Sequence, residues 1–148
     1  NLIIAIKGRT IMPRIMTITI IKINDKNFCT INTHLDYKLE EIQKRQLNYL
    51  KKFIKKYSKK YQIILTGDFN MEINNIYFNE FIDYLRIYNI KRIPIDEKTN
   101  GLRHKNKMAI DHIFIPNDWI VINYGINENQ MINNITDHKE IYVTAIIK

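Results

Sequence analysis

Tyr61-Gln62-Ile63-Ile64-Leu65-Thr66-Gly67-Asp68-Phe69-Asn70 is the stretch on which the reading of this 148-residue chain turns. Up to Thr66 it is a short, continuous apolar run, the pattern of a strand. It stops abruptly at a glycine followed by a carboxylate and, one residue on, an amide. A strand ending of this kind delivers polar side chains to one edge of a sheet and holds them rigidly. Taken alone, a strand that ends in Gly-Asp is more often a turn than a catalytic carboxylate, so the flanking sequence has to decide.

Upstream the period changes. From about Leu39 to Lys59, Ile42, Leu47, Leu50, Phe53, Ile54 and Tyr57 fall on one helical face, while Lys44, Lys51, Lys52, Lys55 and Lys59 face elsewhere. Asp36 is placed to cap this helix, and Glu40 and Glu41 suit its first turn. Before it, Ile15 to Ile23 alternates apolar with small polar residues, Asn24 to Asn27 is turn chemistry, and Phe28 to His34 resumes the alternation. That predicts a β-hairpin. The opening Asn1 to Ile6 reads as a further strand.

Downstream, a second helix is expected from about Tyr77 to Leu85, then a long polar surface loop from Pro94 to Lys107. Strands follow at Met108–Ile115, closed by Pro116, at Trp119–Tyr124 and at Glu140–Ile147. There is no internal repeat, low-complexity tract or linker. The order β-β-α-β-α-loop-β-β-β describes an α/β domain with a mixed sheet.

Composition sets the outer bounds. Apolar residues make up 45% and charged residues 26%, which is globular rather than disordered. No apolar run approaches the ~20 residues that a membrane span needs, and no signal-peptide pattern is present. The single cysteine, Cys29, excludes an internal disulfide, reads as a small buried hydrophobe and suits a reducing, cytoplasmic setting. A net charge of +8 favours anionic partners such as nucleic acid or acidic lipid headgroups. Its weight is reduced because Ile, Asn, Lys and Tyr, the residues of AT-rich codons, dominate the chain. No aromatic–basic stripe of the single-strand-binding type stands out.

Four short motifs sit at strand ends: Asn32-Thr33-His34-Leu35, Gly67-Asp68-Phe69-Asn70, Ile110-Asp111-His112-Ile113-Phe114 and Thr136-Asp137-His138. Each is weak by itself. Asp111 is the least bland, because a carboxylate in an apolar strand needs a partner to offset desolvation. A nearby imidazole would satisfy it. Carboxylates, an amide and imidazoles at one sheet edge are groups that can orient a water, take its proton and hold a cation at developing charge. The chain offers carboxylate and amide ligands suited to a hard ion, and no Cys/His cluster suited to zinc.

In their joint order, with Arg45-Gln46-Leu47 on the intervening helix, these motifs closely resemble the endonuclease/exonuclease/phosphatase (DNase I-like) superfamily. The likeness runs from about Arg14, which resembles an arginine near the middle of that family's domain, to the end of the chain. The resemblance implies half of a four-layer α/β/β/α sandwich and a phosphodiester hydrolase dependent on Mg²⁺ or Mn²⁺. It implies that Asp68 orients or deprotonates the attacking water and that Asn70 holds that water or a phosphate oxygen. His138 would contact the scissile phosphate with Asp111 as its buried partner, His34 would bond a phosphate oxygen or assist the leaving group, and Asp137 would reach the metal.

The chain departs from the pattern at His112, where an aromatic, often Tyr, is common, and at Thr136, where Ser is common. The larger departure is at the front. The strand-end Asn and the metal-binding Glu with which such domains begin have no counterpart here. Residues 1–148 therefore read as the C-terminal part of one domain, inactive by itself, with the N-terminal part as its expected partner. The unpartnered inner face of its sheet is expected to be an exposed apolar patch through which the chain associates. Nuclease is the first expectation for the whole protein. Phospholipid or inositol-phosphate phosphodiesterase is the second, and a half-domain that only binds phosphorylated ligands is the third.

Overall fold

Alternation of apolar and small polar residues shapes the first half of the chain into strands. The computed structural model describes residues 2–6, 14–99, 108–127 and 136–147. β1 (Leu2–Ile6) pairs antiparallel with β2 (Arg14–Ile23), which pairs antiparallel with β3 (Lys26–His34). The β2–β3 turn is Asn24-Asp25, both at positive φ (47° and 64°), which is the backbone a two-residue hairpin requires of residues that tolerate it. α1 (Glu40–Tyr57) then crosses over to β4 (Gln62–Asp68), which lies parallel to β3. α2 (Ile76–Arg86) is capped by Asn75, whose side chain accepts from the Phe78 N–H at 3.1 Å. β5 (Ile90–Arg92) and β6 (Asp111–Pro116) complete a six-stranded mixed sheet in the order β1-β2-β3-β4-β6-β5. β7 (Ile120–Asn127) and β8 (Glu140–Ile146) form a separate antiparallel pair.

The period-two rule divides the sheet into two apolar faces. Cys29, Ile31, Ile63, Leu65 and Phe114 join Met16 and Ile18 in one cluster with Leu47, Leu50 and Ile54 of α1 and Phe78, Phe81 and Leu85 of α2. The intervening residues Phe28, Ile113 and Ile115 join Ile93, Ile95 and Trp119 in a second cluster. Val121, Ile126, Ile141 and Val143 of the β7–β8 pair pack against this second cluster. Each fully buried large side chain contributes roughly 1.5–3 kcal/mol. The buried Cys29 agrees with its reading as a small hydrophobe, and burial pushes its thiol up to about 11.

Four sequence readings are corrected here. Asp36 does not cap α1: the N-cap is Leu39 without a side-chain bond, and Asp36 Oδ1 instead accepts from the Lys38 and Leu39 N–H groups in the preceding turn. β5 was not expected, because three residues, two of them charged, carry no periodic signal. The polar stretch from Pro94 is not all surface, since Ile95 and Thr99 are buried. Its remainder, residues 100–107, lies outside the described residues. Finally, the inner face of the six-stranded sheet is not bare, because the β7–β8 pair covers part of it. Among the described residues no helix is long and apolar enough to cross a membrane.

Candidate active site

Parallel pairing of β3 and β4 brings their carboxyl ends to one edge of the sheet, with His34 opposite Asp68 in register. β6 runs antiparallel to β4 and begins at that edge, with Asp111 also opposite Asp68. Gly67 is required for this approach. Its φ is 151°, and a Cβ built on it would lie 2.0 Å from the Thr33 carbonyl oxygen of the neighbouring strand. Beyond β4 the chain is fastened on both sides: Leu35 N–H donates to Asp68 O at 2.8 Å, and Phe69 N–H to Ile110 O at 2.9 Å.

The segment Thr136-Asp137-His138 before β8 supplies the last member. His138 Nδ1 lies 2.9 Å from Asp111 Oδ2, and His138 Nε2 lies 3.7 Å from Asp68 Oδ2. His34 Nε2 approaches the same Asp68 oxygen from the other side at 3.3 Å. Four of the six expected site residues, His34, Asp68, Asp111 and His138, thus meet around one carboxylate. His34, Asp68 and Asp111 line a cleft of about 360 Å³, together with Asn32, Thr66, Lys139 and Ile141.

His138, Asp68 and His34 titrate away from their ordinary values for visible reasons. The hydrogen bond to Asp111 raises His138 to about 9, against the opposing effect of burial and with help from the charges of Asp111, Asp68 and Asp137. Burial raises Asp68 to about 6, and the neighbouring Asp111 carboxylate adds to this. The Asn70 N–H, donated to Asp68 Oδ1 at 2.8 Å, works in the other direction, as do His138 and Arg14. Burial lowers His34, and the positive charges of Arg14 and His138 lower it further. At neutral pH the site therefore pairs an imidazolium at His138 with an ionised Asp68 and a neutral His34.

Asn70 and Asp137 are placed differently. The Asn70 side-chain N–H₂ donates to Leu35 O at 2.9 Å, and the Asn70 main-chain carbonyl accepts from Gln43 Nε2 at 3.1 Å, so this residue ties β3, β4 and α1 together. Its φ of 51° is a conformation asparagine tolerates better than most side chains. Asp137 adjoins His138 and is half-buried, but is not part of the tightest group of ligand atoms. That group is Asp68, Asp111 and His138, each offering an atom within 4.8 Å of the others.

Three more residues shape the site; Arg14 and His112 were noted in the sequence only for their likeness to or departure from the family pattern, and Thr99 not at all. Arg14 is buried, carries a positive charge that acts on both His34 and Asp68, and sets its guanidinium 5.9 Å from the Tyr37 ring centroid. Among the described residues its Nε has no hydrogen-bond partner. Thr99 stitches the two halves of the dyad together. Its hydroxyl oxygen accepts from the Ile110 and Asp111 N–H groups, each at 3.1 Å, and its carbonyl accepts from Lys139 N–H at 2.7 Å. His112, beside Asp111, is buried among Phe69, Phe78 and Phe114, where burial lowers it to about 4. Its Nε2 bonds Met71 O at 2.8 Å and its Nδ1 accepts from Arg92 Nε at 3.2 Å, which fixes the proton on Nε2. A linear reading signals only Arg14, at the start of a strand; nothing in it marks a threonine inside a polar loop.

No protein-family model matches the sequence, and no curated protein matches it in sequence. Solved structures do match. The endonuclease/exonuclease/phosphatase from Bacteroides vulgatus superposes with a TM-score of 0.77 at 20% identity, over 94% of this chain and 57% of that one. The mannosyl-6-phosphatase Bt3783 of Bacteroides thetaiotaomicron does so at 0.74 and 18%, over 95% and 60%. The fold is that of the endonuclease/exonuclease/phosphatase proteins. D. rerio TDP2, complexed with single strand DNA product, shares it at a TM-score of 0.77 and 16% identity, over 99% of this chain and 66% of that one. The chain thus spans less than two thirds of each of these endonuclease/exonuclease/phosphatase-fold structures.

Proposed function

We propose that this chain carries the proton-accepting and phosphate-facing part of a divalent-metal-dependent phosphoester hydrolase. The observation that carries the reading is the His138–Asp111 pair set against Asp68 at the end of three strands. Asp111 holds His138 protonated at Nδ1, leaving Nε2, on the Asp68 side, as a positively charged donor for a phosphate oxygen. Asp68, ionised above about pH 6, is the base toward the attacking water. His34, neutral beside it, and the Arg14 charge complete the anion-facing side.

The donor set suits a hard divalent cation such as Mg²⁺ or Mn²⁺, because carboxylates dominate it and burial leaves Asp68 with charge that a cation would relieve. Asp137 and Asp68 are the residues that would hold it, together with the glutamate expected from the remainder of the domain. When bound, the ion would neutralise charge developing on the phosphorus oxygens. Asn70 supports Asp68 through its main-chain N–H and, with its NH₂ bonded to Leu35 O, has its side-chain oxygen to offer to the water.

A nuclease is the reading preferred for the whole protein, on the charge of +8 and the arginine beside the site. A phospholipid or inositol-phosphate diesterase is the second. The test uses the chain joined to the N-terminal part of its domain. In Mg²⁺ it is expected to cleave an oligonucleotide faster than a phospholipid, to stop in EDTA, and to lose at least ~100-fold in kcat with His138→Ala or Asp68→Ala. Undiminished turnover in either variant, or in chelator, would refute the reading; cleavage of the lipid alone would reverse the substrate order.

A further inference from the structure

Along α1, Tyr49, Phe53 and Tyr57 stand four residues apart on one flank, and Tyr61 extends the row past the helix end. Their rings form a continuous series: Tyr49–Phe53 centroids are 5.2 Å apart, Phe53–Tyr57 6.5 Å with planes 16° apart, and Tyr57–Tyr61 6.5 Å with planes 29° apart. All four are half-buried, so each keeps part of its surface in water. The opposite flank faces α2, where Lys44 lies over the Tyr77 ring and Lys51 over Tyr84.

Past the acidic first turn, Glu40 and Glu41, the helix is basic. From Ile42 to Lys60 the chain has seven lysines, one arginine and no Asp or Glu. Lys52 and Lys56 are exposed beside the rings, and Lys56 and Lys60 each stand 5.4 Å from a ring centroid of the row. The negative end of the helix dipole accounts for Lys55 and Lys56 but not for Lys44 or Lys52. Like charges at i,i+4, as in Lys51–Lys55 and Lys52–Lys56, destabilise an isolated helix. A bound polyanion would relieve that repulsion.

We propose that this flank of α1 is a binding track for single-stranded nucleic acid. Bases stack on partly exposed rings only when they are free of a duplex, while the lysines follow the phosphates. The track leads from the catalytic edge, where α1 begins and where the exposed Tyr37 ring carries Arg14 and Lys38 over it, to the far end of the sheet. An 18-residue helix spans about 27 Å of that path. The inference goes beyond the hydrolase reading and does not depend on it, since α1 contributes no catalytic group.

Fluorescence anisotropy with the protein in EDTA, which separates binding from turnover, tests it. The probes are a labelled 12-nucleotide oligothymidylate, a duplex of equal length and phosphatidylserine-containing vesicles. The single strand is expected to bind most tightly. Changing Lys52, Lys56 and Lys60 together to Gln should reduce the slope of log K against log salt by about 2. Phe53→Leu with Tyr57→Leu, which keep the apolar contact but remove the rings, should weaken single-strand binding about tenfold at unchanged slope. Equal or tighter binding of duplex or vesicles, or an unchanged slope in the lysine variant, would overturn the proposal. The lysine variant decides alone if the ring variant loses its native circular dichroism.

Discussion

His138 shows how one hydrogen bond sets the chemistry of a residue. With Asp111 at 2.9 Å its titration moves from near 6.5 to about 9. In the metal-free chain, Asp111→Asn should return it toward the ordinary imidazole value, as read by the NMR pH titration of the ring; a midpoint still near 9 would mean that Asp68 and Asp137 dominate. The sign for stability follows from the raised value. The contribution of this group is fully present below about 6.5 and is lost as pH rises through about 9, so the wild-type advantage over the variant should shrink across that window. Gly67 is constrained by sterics instead. Gly67→Ala would drive a Cβ onto Thr33 O and should lower unfolding free energy by about 2–4 kcal/mol in urea titration.

The elements matter by what they clamp. α2 seats Phe78 and Phe81 against Phe69 and Phe114, and all four are fully buried. Phe81→Ala should cost roughly 3–5 kcal/mol in the same titration, with the site geometry kept if the sheet survives. The segment between β5 and β6 works through Thr99. Thr99→Val keeps the shape but leaves the Ile110 and Asp111 N–H groups without their acceptor, at a cost of about 1–3 kcal/mol. It should also broaden the His138 ring resonance, because the strand that carries Asp111 and the backbone next to His138 share that residue. An unchanged His138 signal would show that the dyad is held from elsewhere.

At the scale of the whole molecule, the β7–β8 pair is the unfinished part. One face packs on the six-stranded sheet, while Ile122 and Ile146 are 59% and 53% exposed, with Tyr124 and Tyr142 beside them. Ile15, on the inner side of β2, is 51% exposed. Large exposed apolar residues on a short two-stranded sheet invite pairing with another chain. The isolated chain is expected to sediment in a concentration-dependent way, and Ile122→Lys with Ile146→Lys should shift it toward monomer. A single monomeric boundary for the wild type at high concentration would contradict this.

The strands other than β5, both helices and the four motifs were legible in the sequence because each rests on local information: period two, period 3.6, or a polar residue following an apolar run. The His138–Asp111 pairing was legible through the family resemblance, and it agrees with the need of a carboxylate inside an apolar strand for a counterpart. Only the tertiary structure could show that Thr99 is buried, because a hydroxyl in a polar loop reads as surface until its N–H partners are known. It alone could show that Asn70 spends its amide on Leu35 and that Arg14 acts on both His34 and Asp68. The row of rings along α1 was hidden for the same reason, since Tyr61 joins it from outside the helix. Local pattern determines which elements form; long-range contacts, which no local period encodes, decide which polar groups meet and what charge they carry.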